Sequence, residues 1–320
     1  MSWSAGDIPS QSGRTAVVTG GNAGLGLATA RALAGAGAEL VIAARDQERA
    51  AAATAEIRGS APGCSLEVVP LDLASQQSVR AAAERILERR DRIDLLVNNA
   101  GLMGIPERRT ADGFEMQLGV NHLGHWTLTA LLMPALLRAD AARIVSVTSV
   151  AHLIARPVDP ENPHLDGRYG PWRAYGQSKL ANFHFGLGLH RRLRAAGSGA
   201  ASLVAHPGLS NTDLQAASVR ETRGGRSQKF WLMLARTTGM SPADGARSLL
   251  RAATDPGARS GELYGPLFVN TGPPVRKPVL RRIGLERAID RLWAVSERET
   301  GVRVELGDGA LATDPRSASP

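Results

Sequence analysis

Cysteine is almost absent from this chain. Cys64 stands alone, which excludes an intrachain disulfide and favours a reducing compartment. The N-terminus, "MSWSAGDIPSQSG", lacks both a basic segment and an apolar core, so no secretory signal is expected. Long apolar runs are missing too: the longest, "WTLTALLMPALL", contains Pro134 and falls short of the ~20 residues a membrane span needs. A soluble, cytoplasmic protein without a transmembrane segment is the expectation. Blocks of one charge sign are scarce despite a formal net charge of +8, because basic residues alternate with acids, as in "ERILERRDRID". The exception, "RKPVLRRIGLER" at 276–287, reads as solvated surface rather than a membrane or nucleic-acid patch, and no nucleic-acid partner is expected. Of seven histidines, His122 and His125 lie three apart with no third ligand at metal-site spacing, so both are assigned structural roles and no metal is expected.

What is present is a repeating alternation. Short, nearly continuous apolar runs at 15–19, 39–44, 66–71, 93–97, 143–148 and 201–206 read as strands buried on both faces. Between them lie Ala-rich amphipathic segments at about 24–36, 46–58, 75–90, 113–138 and 173–196. This rhythm predicts an α/β fold: a single Rossmann-type domain, with a doubly wound parallel sheet and helices on both faces. The expected division is an N-terminal segment 1–13, a dinucleotide-binding domain 14–275 and a C-terminal extension 276–320 holding one helix and a disordered tail. A further helix is expected at 242–254 and an edge strand around "GELYG", while the proline-rich segment 265–279 reads as loop.

The first strand runs into "TGGNAGLGLA", where Gly20, Gly24 and Gly26 set a T-G-x-x-x-G-x-G pattern. Glycines there allow a tight turn and let a pyrophosphate approach a helix N-terminus, whose free N–H groups favour anions. With Asn22 and Leu25 between them, these are candidate cofactor-binding residues. The second strand closes on Arg45, where an NAD-binding protein typically has an acid. An arginine suits a 2′-phosphate, so NADP(H) is favoured over NAD(H), although Asp46 follows at once.

Only three tyrosines and three lysines occur, yet Tyr175 and Lys179 lie one helical turn apart in "AYGQSK". Chance would place such a pair here roughly 0.03 times. A phenol with a pKa near ~10 is a poor base alone, and a neighbouring ammonium favours its ionised form.

Taken in order, the glycine loop, "LDL" (71–73), "NNAG" (98–101), "VNHLGH" (120–125), "VTS" (147–149), "YGQSK" and "HPG" (206–208) make residues 13–265 resemble the classical short-chain dehydrogenase/reductase family. "NHLGH", "TSVAH" and "SKLANFHF" are similar to its retinol dehydrogenase and protochlorophyllide reductase-like branch. That branch also carries an insertion like the one here, which places Ser149 and Tyr175 26 positions apart.

The resemblance implies roles. Tyr175 is the general acid or base, Lys179 holds the nicotinamide ribose, Ser149 orients the substrate oxygen, and Asn121 bends its helix and holds a relay water. Asp72, with Leu73, matches the adenine-binding position. Asn98, Ala100 and Gly101 resemble the adenosine-side segment. Pro207 and Gly208 resemble the turn facing the nicotinamide, and Thr212 the hydroxyl meeting its carboxamide. His206 is family-typical rather than a proton donor. The region 208–240 matches the substrate loop, and "FWLMLA" (230–235) would make an apolar lid over a hydrophobic small molecule. Homodimers and homotetramers are the family's usual assemblies. The implied activity is NADP(H)-dependent hydride transfer to or from a carbonyl or alcohol. A non-catalytic dinucleotide-binding regulator would usually lack one of Ser149, Tyr175 or Lys179. An extended-family epimerase or dehydratase would bring a larger C-terminal domain, and a methyltransferase would need no Tyr–Lys pair.

Overall fold

A computed structural model describes residues 3–210, 239–279 and 283–306. Eight strands form one sheet in the order β3-β2-β1-β4-β5-β6-β7-β8. These are β1 (Thr15–Thr19), β2 (Glu39–Ala44), β3 (Leu66–Pro70), β4 (Leu95–Asn98), β5 (Arg143–Val147), β6 (Ala201–Ala205), β7 (Leu263–Pro266) and β8 (Pro274–Lys277). Neighbours from β3 to β7 pair in parallel, and β8 alone runs antiparallel, against β7. The prolines that made 265–279 read as loop therefore conceal an edge strand. Pro274 sits at its first residue and Pro278 just beyond its last, positions where a missing N–H breaks no central ladder.

Alternation along each strand divides the core. Val17, Val41, Leu96, Ile144 and Val204 point to one face, while Ala16, Val18, Leu40, Ile42, Val97 and Leu203 point to the other. On the second face lie α1 (Gly24–Gly35), α2 (Gln47–Ser60) and the helix Pro242–Thr254. On the first lie α3 (Gln76–Leu87), α4 (Gly124–Leu137) and α5 (Pro171–Ala195), and the last helix, Leu285–Thr300, packs outside α5. In chain order Pro242–Thr254 is α6 and Leu285–Thr300 is α7.

The segment expected as one helix over 113–138 is broken. A single α-turn (Met116–Leu118) leads into a π-helical turn (Gly119–Leu123), which then feeds α4. Such π turns insert one residue into the helical ladder and are frequent at functional sites; Asn121 sits inside this one.

The last helix and the residues that follow it, 285–302, dock tightly. Trp293 meets Trp126 edge-on at 4.8 Å and stacks on Phe185 at 5.5 Å. His122 Nε2 lies 2.8 Å from Ser296 Oγ, and Trp126 Nε1 donates to the Val302 carbonyl at 2.9 Å. The tail from 307 lies outside the described residues.

Candidate active site

A cleft of about 1500 Å³ opens along the carboxyl ends of the parallel strands, where the order reverses between β1 and β4. Its first end is built by the turn leaving β1. Gly20 has φ +65°, and its N–H donates to the Ala43 carbonyl at 2.8 Å. A Cβ at Gly26 would fall 2.1 Å from the Gly20 carbonyl oxygen and 2.6 Å from Asn99 Nδ2, so the first turn of α1 can approach β1 only as glycine. No side chain caps that helix start, which leaves its first N–H groups for an anion.

Gly20, Asn22, Gly24 and Leu25 line this end, as do Arg45, Asp72 and Leu73 from the ends of β2 and β3. Asp46 caps α2, its carboxylate accepting from Arg49 N at 3.0 Å, and Arg49 joins Arg45 on the cleft wall. The residues and the uncapped helix start suit a dinucleotide. The Asn pair divides its work: Asn98 is buried and donates to Thr129 Oγ1 at 2.9 Å, away from the cleft, while Asn99 lines the cleft and donates to the Thr19 carbonyl at 2.8 Å. Ala100 and Gly101 line it as expected. Asn98 is thus not brought to the cleft, and Gly26 supports the cleft by packing behind it.

In the middle of the cleft, α5 presents Tyr175 and Lys179 one turn apart, and the end of β5 presents Ser149. Lys179 Nζ lies 5.9 Å from the Tyr175 ring centroid and donates to the Val147 carbonyl at 3.3 Å. Burial pushes the Lys179 ammonium down to about 8. Burial also raises the Tyr175 phenol, and a hydrogen bond with Ser149 opposes this. The protein groups alone therefore hold the phenol in its protonated, acid form at neutral pH. Ser149 caps a short 3-10 turn (Val150–Leu153), with its Oγ accepting from Ala151 N at 3.3 Å. Thr148, on the other side of the chain, donates instead to the Lys179 carbonyl at 2.7 Å and ties α5 to β5. Ser146 is fully buried within the sheet.

Asn121 does not line the cleft; it stands behind Lys179. A Cβ at Gly101 would lie 2.9 Å from Asn121 Oδ1 and 3.4 Å from Lys179 Nζ, which brings the three together. The Asn121 amide is engaged through both its atoms: Oδ1 accepts from Leu102 N at 2.7 Å, and Nδ2 donates to the Leu102 carbonyl at 2.9 Å and to Ser178 Oγ at 2.8 Å. It clamps the turn after β4 to α5. Its own carbonyl accepts from His125 Nδ1 at 2.9 Å, which leaves His125 Nε2 to accept from the Thr19 hydroxyl at 2.8 Å. His125 is thus neutral, and burial lowers it to about 4.

Pro207 and Gly208 line the cleft beyond β6. Gly208 has φ +71°, and a Cβ there would strike the Asn270 carbonyl at 2.4 Å. Asn270, from the β7–β8 turn, also reaches the wall; it lies in the segment read as featureless loop, so no sequence signal marked it. Thr212 and the expected lid at 230–235 lie outside the described residues. Among the described residues no group of acids, histidines and cysteine is arranged to hold a metal, and no helix is long and apolar enough to cross a membrane.

Comparisons with known proteins agree with this geometry. The family model described as short chain dehydrogenase matches residues 14–223. Human "Retinol dehydrogenase 13" is 37% identical over 299 residues, covering 91% of this chain and 85% of that protein. Mouse "Polyprenol dehydrogenase" is 41% identical over 306 residues, covering 94% and 88%. A crystal structure of an uncharacterised protein from Mycobacterium paratuberculosis superposes with a TM-score of 0.77 at 38% identity, covering 96% of this chain and 100% of that one. A Rossmann-type sheet, a glycine-rich turn at its switch point and a Ser–Tyr–Lys set at its carboxyl edge accompany these matches, and the chain belongs to the short-chain dehydrogenase/reductase family, in its retinol dehydrogenase-like branch, as an NAD(P)-dependent oxidoreductase.

Proposed function

We propose that the protein is an NADP(H)-dependent oxidoreductase acting on a carbonyl or alcohol of a hydrophobic small molecule. The observation that carries the reaction is the convergence of Ser149, Tyr175 and Lys179 on one cleft. The nicotinamide, when bound, supplies or accepts the hydride. Ser149 Oγ hydrogen-bonds the substrate oxygen, and the protonated Tyr175 phenol donates to it as negative charge develops. Lys179, charged below pH about 8, stabilises the phenolate left behind and would hold the cofactor's ribose. Asn121 positions this group through Ser178 and Leu102 rather than by touching substrate.

NADP(H) is favoured because two guanidiniums, Arg45 and Arg49, reach the wall where a 2′-phosphate would sit, while Asp46 is engaged as a helix cap. A hydrophobic substrate is supported by Met103, Leu153, Ile154, Leu165 and Trp172 around the end beyond Tyr175, and by the retinol and polyprenol in the relatives' names. The test is Tyr175→Phe: NADPH binding persists while turnover of an aldehyde or ketone falls about 10²–10⁴-fold, the span of general acid catalysis. Near wild-type turnover would refute the assignment.

A further inference from the structure

Several of the described arginines pair with acids. Arg14 and Arg92 meet Asp94; Arg85, Arg89 and Arg90 meet Glu67; Arg276 meets Glu262. The cleft end beyond Tyr175 gathers four that do not. Arg156, Arg168, Arg173 and Arg291 line the wall, and among the described residues none has a carboxylate within ion-pair distance. Among the described residues Asp159 is the one acid lining that end, and its Oδ1 accepts from Glu161 N at 3.2 Å within its own turn.

The backbone that carries most of this positive rim is anchored, while its four arginines are exposed. Arg156, Arg168 and Arg173 belong to the insertion between Ser149 and Tyr175. Gln177 Nε2 anchors that insertion by donating to the Pro163 carbonyl at 2.7 Å, and the Tyr169 hydroxyl donates to the Ile105 carbonyl at 2.8 Å. Arg173 also donates to the Arg168 carbonyl at 3.2 Å, which draws those two together. From α7, His164 is met by Glu299 at 3.0 Å and the Pro160 carbonyl by Arg298 at 2.9 Å; the same helix carries Arg291. Leu153, Ile154, Leu165 and Trp172 add apolar surface to the same wall.

We propose that the substrate is an anionic amphiphile: an apolar body bearing the reactive carbonyl or alcohol, with a carboxylate or phosphate at its far end received by these four arginines. The proposal deepens the hydride-transfer reading of the Tyr175 site and rests on it. A guanidinium fork matches either anion in two-point geometry, and a cleft lined by one sign of charge concentrates the opposite one. An uncharged alcohol would offer these four guanidiniums no partner.

The experiment compares reduction of dodecanal, its ω-carboxylate and its ω-phosphate monoester. The anionic substrates are expected to show kcat/KM about tenfold above dodecanal, as several exposed ion pairs acting together allow. That ratio falls toward one at about 0.5 M salt and in the double variant Arg168→Gln/Arg291→Gln. Arg194→Gln, exposed at the end of α5 and outside the cleft, keeps it. The two anionic arms tell carboxylate from phosphate. A wild-type ratio near one, or a ratio the double variant leaves unchanged, overturns the proposal. If none of the three turns over, the hydride-transfer reading fails for such substrates, and binding decides the rim separately. Tryptophan fluorescence, with Trp172 in the wall, is then titrated with dodecanoate, dodecyl phosphate and dodecanol. Tighter binding of the anions that the double variant abolishes supports the rim, and equal binding of all three overturns it.

Discussion

Gly188, midway along α5, offers a test in which two well-understood effects oppose each other. In an isolated helix Gly→Ala stabilises by about 1 kcal/mol, because alanine loses less backbone freedom on folding. Here the new methyl would lie 2.4 Å from Trp293 Cζ3 and 2.7 Å from Ile289 Cγ2. Carbon atoms in contact prefer about 3.5–4.0 Å, so α7 would have to retreat by about 1 Å. Retreat is resisted, since Trp293 is held between Trp126 and Phe185 and covered by the Arg192 guanidinium at 3.8 Å. Overpacking of this kind costs about 1–3 kcal/mol. Contacts this short put the loss in the upper part of that range, about 2–3 kcal/mol, so against the propensity gain Gly188→Ala should destabilise by about 1–2 kcal/mol, lowering Tm by about 1.5–3 °C. Gly59→Ala in α2 is the control: nothing lies within 4 Å of its added Cβ, and it should stabilise by about 0.5 kcal/mol. Thermal and urea unfolding followed by far-UV circular dichroism measure both. In a Trp293→Leu background the penalty at Gly188 should shrink, giving a favourable coupling between the two sites. A Gly188→Ala protein as stable as wild type, beside a Gly59→Ala protein that behaves as expected, would refute the claim that α7 is packed to contact on α5.

The remaining predictions concern charge. Arg45→Ala should shift the NADPH/NADH preference in kcat/KM toward NADH by about tenfold or more, the loss of a charge-assisted pair; an unchanged ratio removes Arg45 from 2′-phosphate binding. His122 and His125, lowered by burial to about 3 and about 4, stay neutral in the folded protein but protonate near pH ~6.5 when unfolded. Their folded values are depressed, so the stability they confer is complete above about pH 6.5 and is lost as pH falls; at pH 5 each withdraws about 2 kcal/mol. Urea midpoints at neutral pH and at pH 5 check this, and coincident midpoints would contradict it. Lys179 loses its charge as pH rises through about 8, so NADPH affinity should weaken along that limb, and Lys179→Met should bind weakly with no limb. A wild-type Kd flat between about pH 7 and pH 9 would show that the ammonium does not contribute.

Much of the site could be read from residue order because its chemistry is local. The glycine spacing sits in one strand–turn–helix unit, and Tyr175 and Lys179 need only a helix to share a face. What was not legible depends on contacts distant in sequence. Whether Asn98 or Asn99 faces the cleft is settled by where β4 ends, and two consecutive asparagines look alike until that is known. The π turn adds one residue to an otherwise helical pattern, too little for periodicity to register. β8 was hidden because proline argues against strands, yet an edge strand tolerates it at its ends. Asn270 reaches the wall only because β7 and β8 fold their turn over the Pro207–Gly208 segment. The service of α7 in buttressing the insertion, through Glu299 and Arg298, rests on amphipathic positions that fit any docking partner equally well.

The bond from the Trp126 indole to the Val302 carbonyl also sets an order of events during synthesis, because 176 residues separate the two ends. At about 5–20 residues per second, roughly 10–35 s pass between the emergence of α4 and that of the segment that covers it. By then every strand of the sheet has been made, while the aromatic face of Trp126 and Phe185 stays bare and the insertion beside the cleft lacks its support from α7. The nascent chain thus holds a complete glycine turn beside an uncovered apolar surface. That interval, rather than the finished protein, is when this sequence is most open to aggregation and has the greatest need of a chaperone.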